Sequence, residues 1–457
     1  MKILSAKSAV TVLLIALWLA TLALNWPGHL STDSVIQLLE GRTGHYETWH
    51  PPAMSWLLGI SDSAIPGAGL FAALNITLLY ASLLLLVRLH ARISWLALPV
   101  ALLCALTPQF LLYQGIVWKD VLFTDAIIAG FACMAFAAAR WNQRATRFVF
   151  LAATVILLSL AALTRQNGII ASLMAAPALA AVAYTQQHRL KPAFLQGLAF
   201  LVAILALTAV ATITLGMRAD HGKGRVDEIK MLQLYDFSGA VARDPSLPLS
   251  ILHHGDPALE KVIRKYGATR FTPQRVDTLQ SFAPLESIRA AAPAPLMMAQ
   301  WRNLIASHLP LYLKTRSEIF RWVFLTPDID RCVPFIVGLS GPAATLQALH
   351  TAPRYDARDS ALENYAQAFV HTPVFSHASF AILGAIMFVI LLLRRAPADI
   401  AIAFLLAAAA AFTLTFFVVS LACDYRYLYL IDIAAMLATF HVALKPRRLA
   451  GSLSFRR

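Results

Sequence analysis

The chain has 457 residues, of which 59% are hydrophobic and only 14% charged, and its mean hydropathy is +0.65. A soluble domain carries about 25% charged and about 45–50% apolar residues, so an ordinary water-soluble protein is excluded. The formal charge of +14 does not point to nucleic acid, because the basic residues sit in short stretches between apolar runs near twenty residues long.

Ten such runs predict an all-α polytopic membrane protein with spans at 8–26, 67–87, 95–113, 121–139, 148–164, 168–185, 194–216, 374–393, 398–422 and 427–444. The first follows Lys2 and Lys7, and Asn25-Trp26-Pro27 is a poor cleavage site, so this run reads as an uncleaved span. Alternate connections carry Arg88 and Arg92; Arg140, Arg144 and Arg147; Arg189 and Lys191; and Arg394 and Arg395. The tail adds Lys445, Arg447, Arg448, Arg456 and Arg457, and Asp399 is the single acid among these segments. The positive-inside rule then places both termini in the cytoplasm.

The first outer connection begins Ser31-Thr32-Asp33-Ser34 and continues to His45-Tyr46-Glu47-Thr48-Trp49-His50-Pro51-Pro52. A helix cap, with Ser34 and Gln37 as a capping box and Asp33 at the positive helix end, accounts for its start. It does not account for Asp33, His45, Glu47 and His50 in one short loop, where carboxylates and imidazoles can act as base, acid or metal ligands. Residues 51–62 are apolar but too short to cross, which predicts a short interfacial helix after Pro51-Pro52.

The second outer connection holds Trp118, Lys119 and Asp120, with Asp125 one turn into the next span. An aromatic anchor beside a solvated ion pair is the simple reading. Lys119 can also serve as a point charge for phosphate, and Asp125 needs a partner inside the bilayer. The third is the tight turn Arg165-Gln166-Asn167-Gly168. Arg165 there is either a snorkelling residue or, on the side where no orienting arginine is needed, a bidentate phosphate ligand. The long segment 217–373, rich in acids and prolines, has no run able to span and predicts a mostly helical domain on the outer side. Within it Trp301, Leu304, Ile305, Leu309, Leu311, Leu313, Ile319, Phe320 and Val323 mark amphipathic helices, either a domain core or a surface helix. The last outer turn is Cys423-Asp424-Tyr425-Arg426-Tyr427-Leu428-Tyr429, again with an arginine on the outer side. Cys332 and Cys423 both fall where a disulfide is allowed, whereas Cys104 and Cys133 lie in apolar runs as packing residues.

The organisation is thus 1–216 with seven spans, an extracytoplasmic 217–373, and 374–457 with three spans and a basic tail. Four polar clusters fall on one face and the spans read as nearly free of charge through their centres, as expected of an interfacial site for an amphiphile with an anionic head.

Asp33 through Trp49-His50-Pro51-Pro52, together with Trp118-Lys119-Asp120, Arg165-Gln166-Asn167-Gly168 and Asp424-Tyr425-Arg426-Tyr427, resembles the GT-C superfamily of membrane glycosyltransferases. The likeness is to protein mannosyltransferases and lipid A aminoarabinose transferases, in topology over the whole chain and in short motifs. It implies a GT-C-like fold in a bacterial inner membrane, with the site and large domain periplasmic. It further implies inverting transfer of a sugar from a polyprenyl-phosphate donor to a glycolipid, glycan or protein acceptor. By position Asp33 would be the catalytic carboxylate and Asp120 a second acid. His50, Lys119 and Arg165 would hold the lipid phosphate, with Asn167, Arg426 and Tyr427 also binding substrate. Asp33 is followed by Ser34 rather than by a second acid, which leaves a divalent cation such as Mg or Mn open, with His45 and Glu47 as candidate ligands. A flippase or transporter of a lipid-linked sugar, favoured by a charged or broken helix at mid-membrane, is the main alternative, and a glycan ligase is a third.

Overall fold

The computed structural model describes residues 5–46, 51–216 and 224–446; Glu47 and His50 lie outside them. The described residues are helical with no β-strand, as expected where lipid offers the backbone no hydrogen-bond partner. In chain order the first part contains α1 (Ala6–Asn25), α2 (Thr32–Thr43), α3 (Pro52–Ala64), α4 (Gly69–Val87), α5 (Ala97–Ala105), α6 (Pro108–Leu111) and α7 (Lys119–Ala139). Then come α8 (Arg144–Thr164), α9 (Ile169–Leu173), α10 (Ala175–Gln187) and α11 (Leu190–Gly216).

After α12 (Gly224–Arg243) follow five short helices, α13 (Ser250–Gly255), α14 (Pro257–Val262), α15 (Ala268–Arg270), α16 (Asp277–Gln280) and α17 (Ala283–Ala291). Two longer ones, α18 (Ala294–Ser307) and α19 (Leu309–Leu325), lead to α20 (Ala343–Ala348) and α21 (Ala357–Gln367). The chain ends with α22 (His377–Arg394), α23 (Pro397–Val419) and α24 (Tyr429–Leu444).

Among the described residues nine helices are long and apolar enough to cross a membrane, with α9 and α10 counted as one. The span expected at 95–113 is not a straight helix: α5 and the stretch Pro108–Gly115 meet at 72°. Pro108 explains the break, since it lacks an N–H and pushes Thr107 to extended backbone (ψ 147°). The break lies beside Met436, halfway along α24, because Thr107 Oγ1 reaches the Met436 sulfur.

Two helices form the centre. The α7 window is 89% buried and that of α24 83%, against 17% for α11, so α7 and α24 are enclosed while α11 faces outward. Among the described residues the buried acids and histidines of the spans sit within about two turns of a helix end, not at the centres. Asp125 in α7 accepts from Gln114 Nε2 (3.0 Å), and Asp432 in α24 meets His377 Nδ1 (2.9 Å), all fully buried. At the other end of the bundle Asp399 holds Arg394 (3.1 Å) and His441 (2.8 Å). Each buried charge or imidazole has a partner on another turn or helix, the condition for tolerating it there.

Residues 217–373 do not build one core. Leu234, Phe237, Leu259, Met297, Leu304 and Ile319 pack together, which makes α18 and α19 as far as Ile319 part of a domain core. Val323, Ile329, Cys332, Leu362 and Ala366 join the core of the bundle instead, and Leu346 and Leu349 pack on α2 and α3. The short helix expected after Pro51-Pro52 is α3, packed against α2.

Candidate functional site

The ends of the two central helices come together under the N-terminus of α2. The start of α2 is capped by Ser31 with Ser34 at its third position, one turn earlier than the Ser34–Gln37 box expected. Ser34 cannot serve as that cap because its hydroxyl donates to the Val117 carbonyl (2.6 Å), while Trp118 Nε1 donates to Ser31 Oγ (2.9 Å). These bonds fasten α2 to the entry of α7 and fix Asp33, in the first turn of α2, beside Lys119 and Asp120.

Asp33, Lys119, Arg165, Asn167, Arg426 and Tyr427, drawn from four separate connections, line one cavity of about 610 Å³. Arg426 is its hub. Its guanidinium pairs with Asp33 (2.8 Å), Asp424 (3.3 Å) and Asp120 (3.8 Å) and lies 4.7 Å from the Trp118 ring. Asp120 is buried behind the wall rather than lining the cavity, and it also forms an ion pair with Arg165. It acts as the shared counter-ion of two arginines. Arg165 is further enclosed by Phe412, Phe416 and Tyr427, with ring centroids 5.3–5.6 Å away. Burial lowers its pKa to about 10, which leaves the guanidinium charged at neutral pH. Asn167 donates to Thr415 Oγ1 (2.7 Å) and so ties its turn to α23.

The structure adds residues that the sequence did not single out. Glu228 of α12, Arg275, Asp277 and Gln280 form the wall contributed by 217–373. Gln166 donates to Glu228, and Arg275 pairs with Asp424 (3.0 Å), whose pKa burial raises against the pull of Arg426 and Arg275. No motif surrounds these wall residues; the sole signal was the pair of cysteines able to join their segment to Asp424. That disulfide, Cys332–Cys423, is present.

Four cations (Lys119, Arg165, Arg275, Arg426) and four acids (Asp33, Glu228, Asp277, Asp424) line the cavity, and Asp120 behind the wall adds a fifth acid. The N-terminus of α7 at Lys119 adds a positive dipole end. Phe416, Val419, Ile229 and Leu232 give the same cavity an apolar side. The lining thus combines charged and apolar residues, as ligand cavities commonly do.

His45 stands apart. It is exposed beyond the far end of α2, which alone runs about 15 Å from Asp33 to Thr43 at 1.5 Å per residue. The helix that forms within the first loop separates His45 from Asp33, while Glu47 and His50 lie outside the described residues. Among the described residues no group of three or more His, Cys, Asp or Glu could hold a metal ion, and His45 belongs to none. The residues described do not fit a Mg or Mn site, and no step below passes through one. Comparison with protein-family models, with curated proteins and with solved structures finds no match to this chain.

Proposed function

We propose that this protein is a GT-C-like membrane glycosyltransferase that moves a sugar from a polyprenyl-phosphate donor to an acceptor at the outer face of a bacterial inner membrane. The observation that carries this reading is the convergence of Asp33, Lys119, Arg165 and Arg426 on one cavity with an apolar side. Asp33, a third exposed and oriented by Arg426, takes the proton of the acceptor hydroxyl as its oxygen bonds to the sugar carbon. The bond from that carbon to the phosphate oxygen breaks with inversion. Lys119, Arg165 and the N-terminus of α7 stabilise the charge gathering on the leaving phosphate. Asp120 keeps Arg165 and Arg426 in place.

The test is transfer from polyprenyl-phosphate sugars by the purified protein in vesicles. Asp33→Asn is expected to lower turnover by about 10²–10⁴-fold while polyprenyl-phosphate binding persists. Full turnover in that variant would remove Asp33 as the base. Arg165→Ala is expected to weaken polyprenyl-phosphate binding, and unchanged affinity would leave Arg165 a structural residue.

The 72° break beside Met436, with Asp125 and Asp432 buried nearby, favours a second reading, a transporter of a lipid-linked sugar. The same vesicles separate the two: a labelled donor that changes leaflet without losing its sugar supports transport.

A further inference from the structure

The wall segment 420–425 is held almost residue by residue from the large outer segment. Val276 N–H donates to the Leu421 carbonyl (2.8 Å), Cys423 N–H to the Gln274 carbonyl (2.9 Å) and Tyr425 N–H to the Cys332 carbonyl (2.8 Å). Asp424 takes Arg275, and Cys423 is bonded to Cys332. The deepest tie is of another kind. Arg316 of α19 is fully buried, donates from Nη1 to the Ser420 carbonyl (2.8 Å) and pairs through Nη2 with Asp236 of α12 (2.7 Å). Asp236 is equally buried and accepts from Trp301 Nε1 (2.7 Å).

A buried ion pair is a poor way to hold helices together, since apolar side chains of the same volume do so as well or better. What such side chains cannot do is grip a carbonyl. Ser420 follows the last turn of α23, where carbonyls lack helical partners and the helix end is negative, so a cation there fixes both position and direction. Ser420 itself, with Asp424, Arg426 and Tyr427 just beyond it, lines the cavity.

We propose that Arg316, held by Asp236, is a positioning residue that clamps the end of α23 and thereby sets Asp424, Arg426 and Tyr427 in the cavity. Only the turnover arm of the test rests on the glycosyltransferase reading. The double variant Arg316→Met/Asp236→Leu keeps volume and removes both charges. It is expected to speed amide exchange across 420–428 by at least about tenfold while leaving exchange in α7 unchanged. Turnover is expected to fall by a similar factor with little change in the KM for donor. Exchange across 420–428 at the wild-type rate overturns the proposal, as does a general rise in exchange with a lower melting temperature. If the double variant does not fold, Arg316→Lys, which keeps the charge but lacks the forked guanidinium, is judged on the same local exchange. If the wild type transfers no sugar, the functional reading fails and the exchange measurement still decides the role of Arg316.

Discussion

His29 lies four residues before Asp33 and is completely buried between Asn25 and the 338–359 segment. Its Nδ1 accepts the Gly338 N–H (3.0 Å), so the ring proton sits on Nε2 and is donated to Asn25 Oδ1 (3.0 Å). The ring is therefore neutral, and burial lowers its pKa from 6.5 to about 4, with Asp359 opposing the shift. Between those values the unfolded chain binds the proton and the folded one does not. Stability from the neutral ring is thus complete above about pH 6.5 and is lost as pH falls towards 4, by on the order of 3 kcal/mol. Unfolding measured across this interval should show that loss, and His29→Gln should flatten it. An equal slope in the variant would place the dependence on another group. Asp33, Lys119, Arg165 and Arg426 were legible for the opposite reason: a charge beside an apolar span is conspicuous. Glu228, Arg275 and Asp277 were not, because in a polar segment a charge is ordinary and only folding decides which ones reach the cavity.

At the level of the element, hydropathy marks where a helix crosses and says little about how helices touch. The α2–α3 hairpin illustrates the limit, since both helices were expected and their contact was not. Gly41 and Gly59 bring the two backbones together so closely that a Cβ on Gly41 would stand 2.2 Å from the Ser55 carbonyl and 2.6 Å from Gly59 N. Neither obstacle is a flexible side-chain end, so the helices must part. Gly41→Ala should cost about 1–3 kcal/mol, the usual range for overpacking, read as a lower melting temperature. Because α2 carries Asp33, the strain should also reach the Asp33–Arg426 pair and reduce turnover. A variant that melts with the wild type would mean that α3 can shift without loss. The break at Pro108 has a similar origin. The proline was visible, but an apolar run around it reads as one span until packing beside Met436 shows the bend.

For the whole molecule, the decisive fact is that the two helical bundle portions and segment 217–373 share one site. Charge alternation in the sequence orders the spans, yet it treats 217–373 as a separate body. In the structure that segment supplies a wall of the cavity and part of the bundle core. The Cys332–Cys423 bond closes this arrangement across 91 residues, joining segment 217–373 to the connection that carries Arg426. A cross-link over so long a loop removes much of the unfolded chain's freedom, and its loss typically costs about 2–5 kcal/mol. Cys332→Ser/Cys423→Ser should therefore unfold with that much less free energy in a denaturant titration. The loss should fall on the site as well as on the fold, because Asp424 and Arg426 directly follow the cross-linked residue. A double variant with wild-type stability and wild-type turnover would show that the backbone ties to Gln274, Val276 and Cys332 hold the segment without the bond.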